Sequence, residues 1–386
     1  MQNIVAYQKS IELLRKAITP FGFVASVEDI TNYRRVWTRD AVIHSIAAMR
    51  TGEAELIECS KNTIVTIFDH QHPIGFMPSN VQPDNGKSSY GGNVGRVDNI
   101  SWAVIGLCKY TLETGDHQLL EKYKSKVIRC FEVMDIWEYN GKGLMYVPQS
   151  GDWADEYIQH GYVLYDQLLR LWALEMASKL YFHAPYQAKA DEIRSLIPIN
   201  YRRNPESSSL YSPNLKHQMI DVPNDYWLLG FNPARIYPQF DLQANAFALL
   251  LNVGSATENK ITLDYIKQWV NSQEQILPSF YPSIENKDWE MEELKNNYAY
   301  NFRNFPHQFH NGGLWPVWNG WMAAALKQHG ELETAALLTQ YIHEANAKNN
   351  DVFNECLHGQ TLEPSGVNYC VWSAAGAILA ELGVTC

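Results

Sequence analysis

The sequence predicts an all-α protein folded as an (α/α)6 barrel, a toroid of six helical hairpins with about twelve helices. Three observations lead to this fold class. Helical periodicity runs through the 386-residue chain, whereas strand-like alternation is scarce. Amphipathic segments alternate with segments that are apolar on nearly every side. Long loops rich in Gly, Trp, Asp and His precede the apolar segments.

The amphipathic segments are expected to form an outer ring of helices that keep one face in solvent. They cover residues 3–18, 53–69, 117–134, 186–196, 260–271 and 332–347. The apolar segments are expected to form an inner, buried ring. They cover residues 40–50, 99–113, 162–181, 241–253, 315–328 and 369–382. Gly52 and Gly115 directly follow the first two apolar segments and are predicted C-caps.

The helix pairs recur every ~55 to 80 residues, but the repeats differ and their connections are long, which disfavours a stacked solenoid. If the inner helices run in one direction, the loops that precede them open on one face and share one mouth. These loops are residues 20–39, 71–97, 138–161, 200–240, 273–314 and 348–368. No linker divides the chain, so we predict a single domain over residues 1–386, with a two-domain helical protein as the alternative.

Composition narrows the class of partner. The formal net charge of −11 argues against nucleic acid and anionic membrane as main partners and favours a small, neutral substrate. Twelve Trp and 22 Tyr are many for this length, and aromatic surfaces are how proteins stack on sugar rings. A small carbohydrate is therefore the expected substrate, while the composition does not indicate an oligomeric state.

Cysteine and histidine spacing predicts neither a disulfide framework nor a metal site. The six cysteines lack a Cys-x-x-Cys pair, and most fall in apolar patterns typical of reduced core residues. His307 and His310 lack a recognised ligand spacing, so we predict no metal and no other cofactor. The N-terminus does not resemble a signal peptide and no segment is long enough to cross a bilayer, so we expect a cytoplasmic location.

One carboxylate, Asp98, lies between a glycine-rich loop and an apolar helix, in the segment 95–102 (GRVDNISW). A carboxylate at a helix start can accept hydrogen bonds from free backbone N–H groups as an N-cap. It can also act as a catalytic acid whose proton is retained by apolar surroundings. The position alone leaves both interpretations open.

The other loops contribute carboxylates, amides and indoles, the groups that bind the hydroxyls and the apolar face of a pyranose. The expected sugar-binding residues are Trp37, Arg39, Asp40, Asn99, Trp102, Asp152, Trp153, Asp155, Gln308, His310, Asn311, Trp315 and Glu363. Several have a structural alternative: a buried Arg39–Asp40 ion pair in which Asp40 caps the helix, a solvated turn for the acidic residues 152–156, orientation of its loop for His310, and core packing for the helical tryptophans.

Four segments resemble, in order, motifs of the alkaline/neutral invertase family. They are residues 36–40 (VWTRD), 95–98 (GRVD), 310–316 (HNGGLWP) and 354–356 (NEC), and the similarity runs from about Asn32 to the C-terminus. The invertase family is related to the trehalases and processing α-glucosidases, which share an (α/α)6 catalytic barrel. Segments 97–102 and 352–357 depart from the family's motifs, which predicts different pocket walls.

The resemblance implies a glycosidase that removes a glucosyl-type unit from a disaccharide or small glycoside, with inversion. Asp98 would be the general acid and Glu355 the general base that activates water, as hydrolysis of an acetal requires. Asp152 or Asp155 is the reserve candidate for the acid, and Glu363, on the same loop as Glu355, is the alternative base.

Two other function classes remain open on the sequence. Sugar 2-epimerases use a similar helical barrel but work with paired histidines, whereas the predicted mouth carries more carboxylates than histidines. A non-catalytic carbohydrate-binding protein would tolerate Asp98→Asn without loss of function. Assays for released monosaccharide and for isomerised sugar separate these classes.

Overall fold

The protein is described here from a computed structural model, which covers residues 2–92, 94–297 and 301–384. Fourteen helices dominate this part of the chain, and the predicted all-α (α/α)6 barrel is confirmed. The helices are α1 Gln2–Lys16, α2 Thr38–Thr51, α3 Ala54–Asp69, α4 Asp98–Thr114, α5 His117–Lys122, α6 Lys124–Ile136, α7 Leu164–Tyr181, α8 Ala184–Asn200, α9 Leu242–Leu250, α10 Ala256–Gln273, α11 Glu290–Asn296, α12 Pro316–Gln328, α13 Leu332–Asp351 and α14 Val371–Leu382.

The inner ring is formed by α2, α4, α7, α9, α12 and α14, each packed against the next in that order. The ring closes because α14 also packs against α2. The outer ring consists of α1, α3, the broken pair α5 and α6, α8, α10 and α13, and the backbone of α13 leaves helical geometry at Lys348, Asn349 and Asn350. Both rings coincide with the apolar and amphipathic segments of the sequence.

Burial follows the apolar pattern. Every residue of α9 is buried, as are residues 316–326 of α12. Gly52 and Gly115 both have φ of 73° and follow α2 and α4, where the left-handed conformation favours glycine. Their backbone N–H groups bond to Met49 and Thr111, so the predicted C-caps are confirmed.

Large aromatic side chains fill the centre of the ring. Trp102, Trp172, Phe247 and Trp321 come from four successive inner helices and are at most 1% exposed. The centroid distances are 5.8 Å between Trp102 and Phe247, 6.2 Å between Trp102 and Trp172 and 5.0 Å between Phe247 and Trp321. The barrel axis is therefore packed solid, and space for a ligand remains at the loop end.

Short strands tie the loops together. The strands are β1 Ile18–Thr19, β2 Gly22–Phe23, β3 Val36–Trp37, β4 Asn80–Val81, β5 Ser88–Ser89, β6 Tyr162–Val163, β7 Leu228–Phe231, β8 Ile236–Asp241, β9 Phe280–Tyr281, β10 Cys356–Leu357 and β11 Pro364–Ser365. All pairings are antiparallel, and the sheets are β1-β2, β3-β4-β5, β6-β7-β8-β9 and β10-β11. Nine of the eleven strands have two residues and show no period, so the sequence does not predict them. Strands β7 and β8, of four and six residues, lie in and at the end of the predicted loop 200–240.

Five cysteines, Cys59, Cys108, Cys130, Cys356 and Cys370, are buried and free, as expected for reduced core residues. Cys386 and Asn93, the latter in the glycine-rich loop, lie outside the described residues. Within the described ranges, every helix is too short or too polar to cross a lipid bilayer.

Candidate active site

A cavity of about 960 Å³ opens at the loop end of the barrel. Five of the six predicted loops line it; among the described residues, none of the loop before α9 does. Four carboxylates and four guanidinium groups share its surface with several aromatic rings. The ionic residues are Arg35, Arg39, Asp40, Arg96, Asp155, Glu156, Arg303 and Glu355.

Glu355 lies on the cavity wall, only 3% exposed, just before β10. Its Oε1 accepts a hydrogen bond from the Tyr33 hydroxyl at 2.9 Å, and its Oε2 accepts one from the Val367 backbone N–H at 3.1 Å. Burial raises the pKa of Glu355 to about 7, although the nearby Arg303 charge and the Tyr33 hydrogen bond oppose that rise. Glu355 therefore exchanges its proton near neutral pH.

Gly366 supports Glu355 from behind. Its φ is +77°, and a Cβ built there would lie 2.6 Å from the Cβ of Glu355. Only glycine fits both the left-handed backbone and the close approach.

Arg39 and Asp40, at the start of α2, both line the cavity and are 8% and 5% exposed. They do not pair with each other as the structural alternative expected, because Arg39 Nη1 bonds to Asp98 Oδ2 at 2.6 Å. Burial raises the pKa of Asp40 to about 6, and the Arg39 charge limits the rise.

Asp98 is wholly buried and is not among the cavity-lining residues. Its Oδ2 also accepts a hydrogen bond from Tyr165 at 3.2 Å, and Tyr165 in turn accepts one from Trp102 Nε1 at 2.9 Å. Its Oδ1 has no partner among the described residues. Neither oxygen accepts a backbone N–H, so the N-cap interpretation is wrong; Asp98 anchors Arg39 from beneath.

The acidic turn at 152–156 divides between the cavity and the core. Asp155 lines the cavity in a short ion pair with Arg96, and Glu156 lines it in a bidentate pair with Arg303 at 2.8 and 3.0 Å. Asp152 is not in the lining; both of its oxygens accept hydrogen bonds from Gln159 Nε2, at 3.0 and 2.9 Å. This turn is therefore not a solvated surface loop.

Further carboxyl groups are buried close to Asp152. Burial, with a contribution from the Asp98 charge, raises the pKa of Asp152 to about 7. Asp166, in the first turn of α7, is wholly buried and neither of its oxygens has a partner among the described residues. Burial first, and then the charges of Asp152 and Asp98, raise the pKa of Asp166 well above its usual value.

One wall of the cavity is aromatic, in contrast to the charged residues described above. Trp153 packs edge-on against His310 and Trp315, at centroid distances of 5.1 and 5.3 Å, and all three line the cavity together with Trp372. Burial and the charges of three arginines lower the pKa of His310 well below its usual value, so its ring is neutral. Trp37, half-buried at the mouth, also lines the cavity.

Other predicted sugar ligands lie elsewhere. Trp102 is in the aromatic core, and Asn311 braces its own loop by bonding to the Ile284 backbone at 2.7 and 2.8 Å. Glu363 is exposed and away from the lining, which favours Glu355 over Glu363 as the base on that loop. Of the predicted site residues, the following lie outside the cavity lining: Asp98, Asn99, Trp102, Asp152, Gln308, Asn311 and Glu363.

Some lining residues were not singled out in the sequence. Tyr33 and Arg35 lie just before the VWTRD motif on the first loop, Arg96 is part of the GRVD motif, and Trp372 belongs to the last apolar segment. Arg303 lies ahead of the HNGGLWP motif, in the loop of residues 273–314. For the four loop residues the available signal is their position before an inner helix, whereas Trp372 lies on α14 itself.

A second cavity, of about 270 Å³, lies on the other side of Arg96. Its walls are aromatic and apolar, and its described lining contains no carboxylate. The larger cavity, with four lining carboxylates, is therefore the candidate site for the expected acetal hydrolysis, which needs two carboxyl groups.

Known proteins of two kinds resemble the chain. A family profile described as alkaline and neutral invertase matches residues 204–384. Alkaline/neutral invertase E of Arabidopsis thaliana, a chloroplastic protein, is 22% identical, over 97% of this chain and 72% of its own length. Cytosolic invertase 1 of Oryza sativa subsp. japonica is also 22% identical, over 96% of this chain and 76% of its own length.

Solved structures share the fold. The GH63 mannosylglycerate hydrolase of Thermus thermophilus superposes with a TM-score of 0.68 at 12% identity, over 96% of this chain and 98% of that one. A bacterial glucoamylase bound to acarbose superposes with a TM-score of 0.64 at 16% identity, over 98% of this chain and 56% of that one. The family profile and the two invertase relatives confirm the predicted resemblance to the alkaline/neutral invertases, and with it the prediction of a glycosidase.

Proposed function

We propose that this glycosidase hydrolyses a small glycoside by using two carboxyl groups on facing walls of the large cavity. The proposal rests on the positions of two carboxylates relative to the six-helix ring. Glu355 lies in the loop before α14, and Asp155 lies in the loop before α7, and these two helices are opposite members of the six-helix ring. A sugar and a water molecule must fit between an acid and a base in this way.

Glu355 is the proposed general base. It faces the cavity, and a pKa of about 7 suits a base that must accept a proton from water at neutral pH. The Tyr33 hydroxyl and the Val367 N–H orient the carboxylate through separate oxygens.

The general acid has two candidates. The sequence resemblance favours Asp98, whose Oδ1 is free of protein partners among the described residues. The Oδ2 of each candidate is held by a guanidinium group, that of Asp98 by Arg39 and that of Asp155 by Arg96, so this pairing does not separate them. The cavity geometry favours Asp155, because it lines the cavity and Asp98 does not. We therefore propose Asp155 as the proton donor and Asp98 as the residue that positions Arg39.

Deep in the cavity, Arg39 and Asp40 present groups that bind vicinal hydroxyls, and Trp153, Trp315 and Trp372 present apolar surface for a pyranose ring. Such a pocket fits the non-reducing end of a glucosyl-type substrate, a disaccharide or a short glycoside. We propose inversion of the anomeric carbon, with water attacking from the face opposite the leaving group. We also propose a cytoplasmic location.

The test begins with a screen of disaccharides and glycosylated small metabolites, with the anomer of the released sugar read by NMR. Glu355→Gln should lower kcat by about three orders of magnitude or more on every substrate, while ligand binding persists. Near-normal turnover in this variant removes Glu355 from its role.

The general acid is identified by how the activity of its variant depends on the leaving group of the substrate. A variant that lacks the proton donor should lose hydrolysis of an alkyl glycoside but retain most hydrolysis of the matching glycosyl fluoride, whose leaving group needs little protonation. We expect this split for Asp155→Asn. If Asp98→Asn shows the split instead, the acid is Asp98.

A sugar 2-epimerase is less well supported. Paired histidines would be needed as proton shuttles, and His310 is the single histidine among the described residues that line the cavity. Incubation with free sugars in deuterated water measures the alternative directly, since epimerisation incorporates deuterium at carbon 2 and hydrolysis does not.

A further inference from the structure

Among the described residues, Arg35 is the one arginine of the cavity that has no carboxylate partner. Arg39 pairs with Asp98, Arg96 with Asp155 and Arg303 with Glu156. Arg35 Nη1 instead donates to the neutral Asn80 Oδ1 at 3.1 Å. Its positive charge is therefore left uncompensated at the cavity surface.

The side chains around Arg35 include hydrogen-bond donors, although the Trp37 indole N–H is already bonded to the Asn32 carbonyl oxygen at 2.9 Å. Trp37 on β3, Asn80 on β4 and Ser89 on β5 are partners in register, so their side chains share one face of the small sheet, and all three line the cavity. Within the described chain, Asn80 Nδ2 and the Ser89 hydroxyl donate to no other residue. The lining contributed by residues 31–37 and 79–92 contains no carboxylate.

We call Arg35, Asn80 and Ser89 the donor rim. Its lack of carboxylates contrasts with the rest of the cavity and with the acidic character of the whole protein. The four lining carboxylates come from other segments, and the whole chain has a net charge of −11. A local cluster of unpaired donors with a guanidinium group matches the geometry of an oxyanion, which accepts several hydrogen bonds at once.

We propose that the donor rim binds an anionic group, a carboxylate or a phosphate, carried by the leaving-group part of the substrate. Arg35 and Ser89 are half-buried near the mouth, whereas Arg39, Asp40, Trp315 and Glu355 are nearly inaccessible and lie deep. A sugar at the deep end places its leaving group toward the mouth. The substrate class is then an acidic glycoside, in contrast to the neutral substrate that the net charge favoured. This assignment of the leaving group rests on the proposed function.

The binding test needs no turnover. Isothermal titration calorimetry with inorganic phosphate and with malonate compares the wild type, Arg35→Gln and the matched control Arg34→Gln, whose arginine is exposed and outside the lining. We expect millimolar or tighter binding to the wild type, a loss of about tenfold or more in Arg35→Gln, and no change in Arg34→Gln. The preferred probe separates a phosphate-bearing from a carboxylate-bearing substrate.

Asn80→Asp provides an isosteric second variant, since the new carboxylate would pair with Arg35 and repel an anion. It should weaken anion binding as strongly as Arg35→Gln. The proposal is overturned if the wild type binds neither anion at millimolar concentration, if Arg35→Gln binds as the wild type does, or if Arg34→Gln loses as much. Anion binding that persists in an inactive Glu355→Gln variant separates this inference from the catalytic proposal.

Discussion

At the scale of single residues, Tyr33 lowers the pH at which Glu355 can work, against the larger upward effect of burial. Its hydrogen bond stabilises the ionised carboxylate and so lowers the pKa of Glu355. A general base must be ionised, so kcat/KM should rise as pH passes through about 7. Tyr33→Phe should move this ascending limb upward by about 0.5 to 1 pH unit, since one hydrogen bond contributes about 1 kcal/mol.

The measurement is a pH–rate profile on one good substrate. Tyr341→Phe, on the outer helix α13, serves as the control and should leave the limb in place. An unchanged or downward-shifted limb in Tyr33→Phe contradicts the assignment of Glu355 as the titrating base.

Asp166 should make the protein less stable as pH rises. Its pKa is raised in the folded protein, so the folded state binds the proton more tightly than the unfolded chain. The stabilisation is complete below the unfolded pKa of about 4 and is lost as pH climbs toward the raised folded value, at roughly 1.4 kcal/mol per pH unit at most. Asp166→Asn should remove this loss and raise the thermal midpoint at pH 8 more than at pH 5.

Differential scanning fluorimetry at the two pH values is sufficient. Asp84→Asn, in an exposed turn, should leave both midpoints unchanged. An equal effect of Asp166→Asn at both pH values indicates that packing, and not protonation, dominates at this site.

At the scale of secondary-structure elements, α12 and α14 touch through backbone at two glycines. A Cβ on Gly376 would lie 2.7 Å from the Pro316 carbonyl oxygen and from Val317 Cα, and a Cβ on Gly320 would overlap the Gly376 carbonyl. Backbone cannot rotate away as a side chain can, so Gly376→Ala should destabilise the protein by about 2–3 kcal/mol. Urea unfolding checks this, with Gly92→Ala, which meets only open space, expected to keep its midpoint.

The helices were easier to predict from the sequence than the positions of loop side chains. Each inner helix buries nearly every residue, so its apolar run is visible without any knowledge of neighbours. Loop side chains were less predictable: Trp153 and Asp155 enter the cavity, whereas Asp152 turns into the core, within one short turn. That division depends on Gln159 and Arg96, whose positions are set by long-range contacts that no local pattern encodes.

Asp98, a residue of the GRVD motif, shows the same limit of prediction from local sequence. Its neighbours predicted a buried carboxylate at the start of a helix, and it is one. Which groups it contacts depends on Arg39, 59 positions earlier in the chain, and on Tyr165, 67 positions later. Sequence spacing contains no information on such pairings.

At the scale of the whole molecule, the inner ring of helices closes on itself. Helix α2 packs against both α4 and α14, so the first and last inner helices support each other. We expect one cooperative transition in differential scanning calorimetry, as for a single domain over residues 1–386. Two resolved transitions, or a stable proteolytic half, would favour the two-domain alternative.

The tryptophans of the cavity wall should report ligand binding through their intrinsic fluorescence. Trp153, Trp315 and Trp372 face the cavity, whereas Trp102, Trp172 and Trp321 are sealed in the core and provide a constant background. Ligands that enter should change the polarity beside these indoles, which are at most 4% exposed, and so alter their emission spectrum. An unlabelled sample in a fluorimeter is then enough to search a compound library before any reaction product is known.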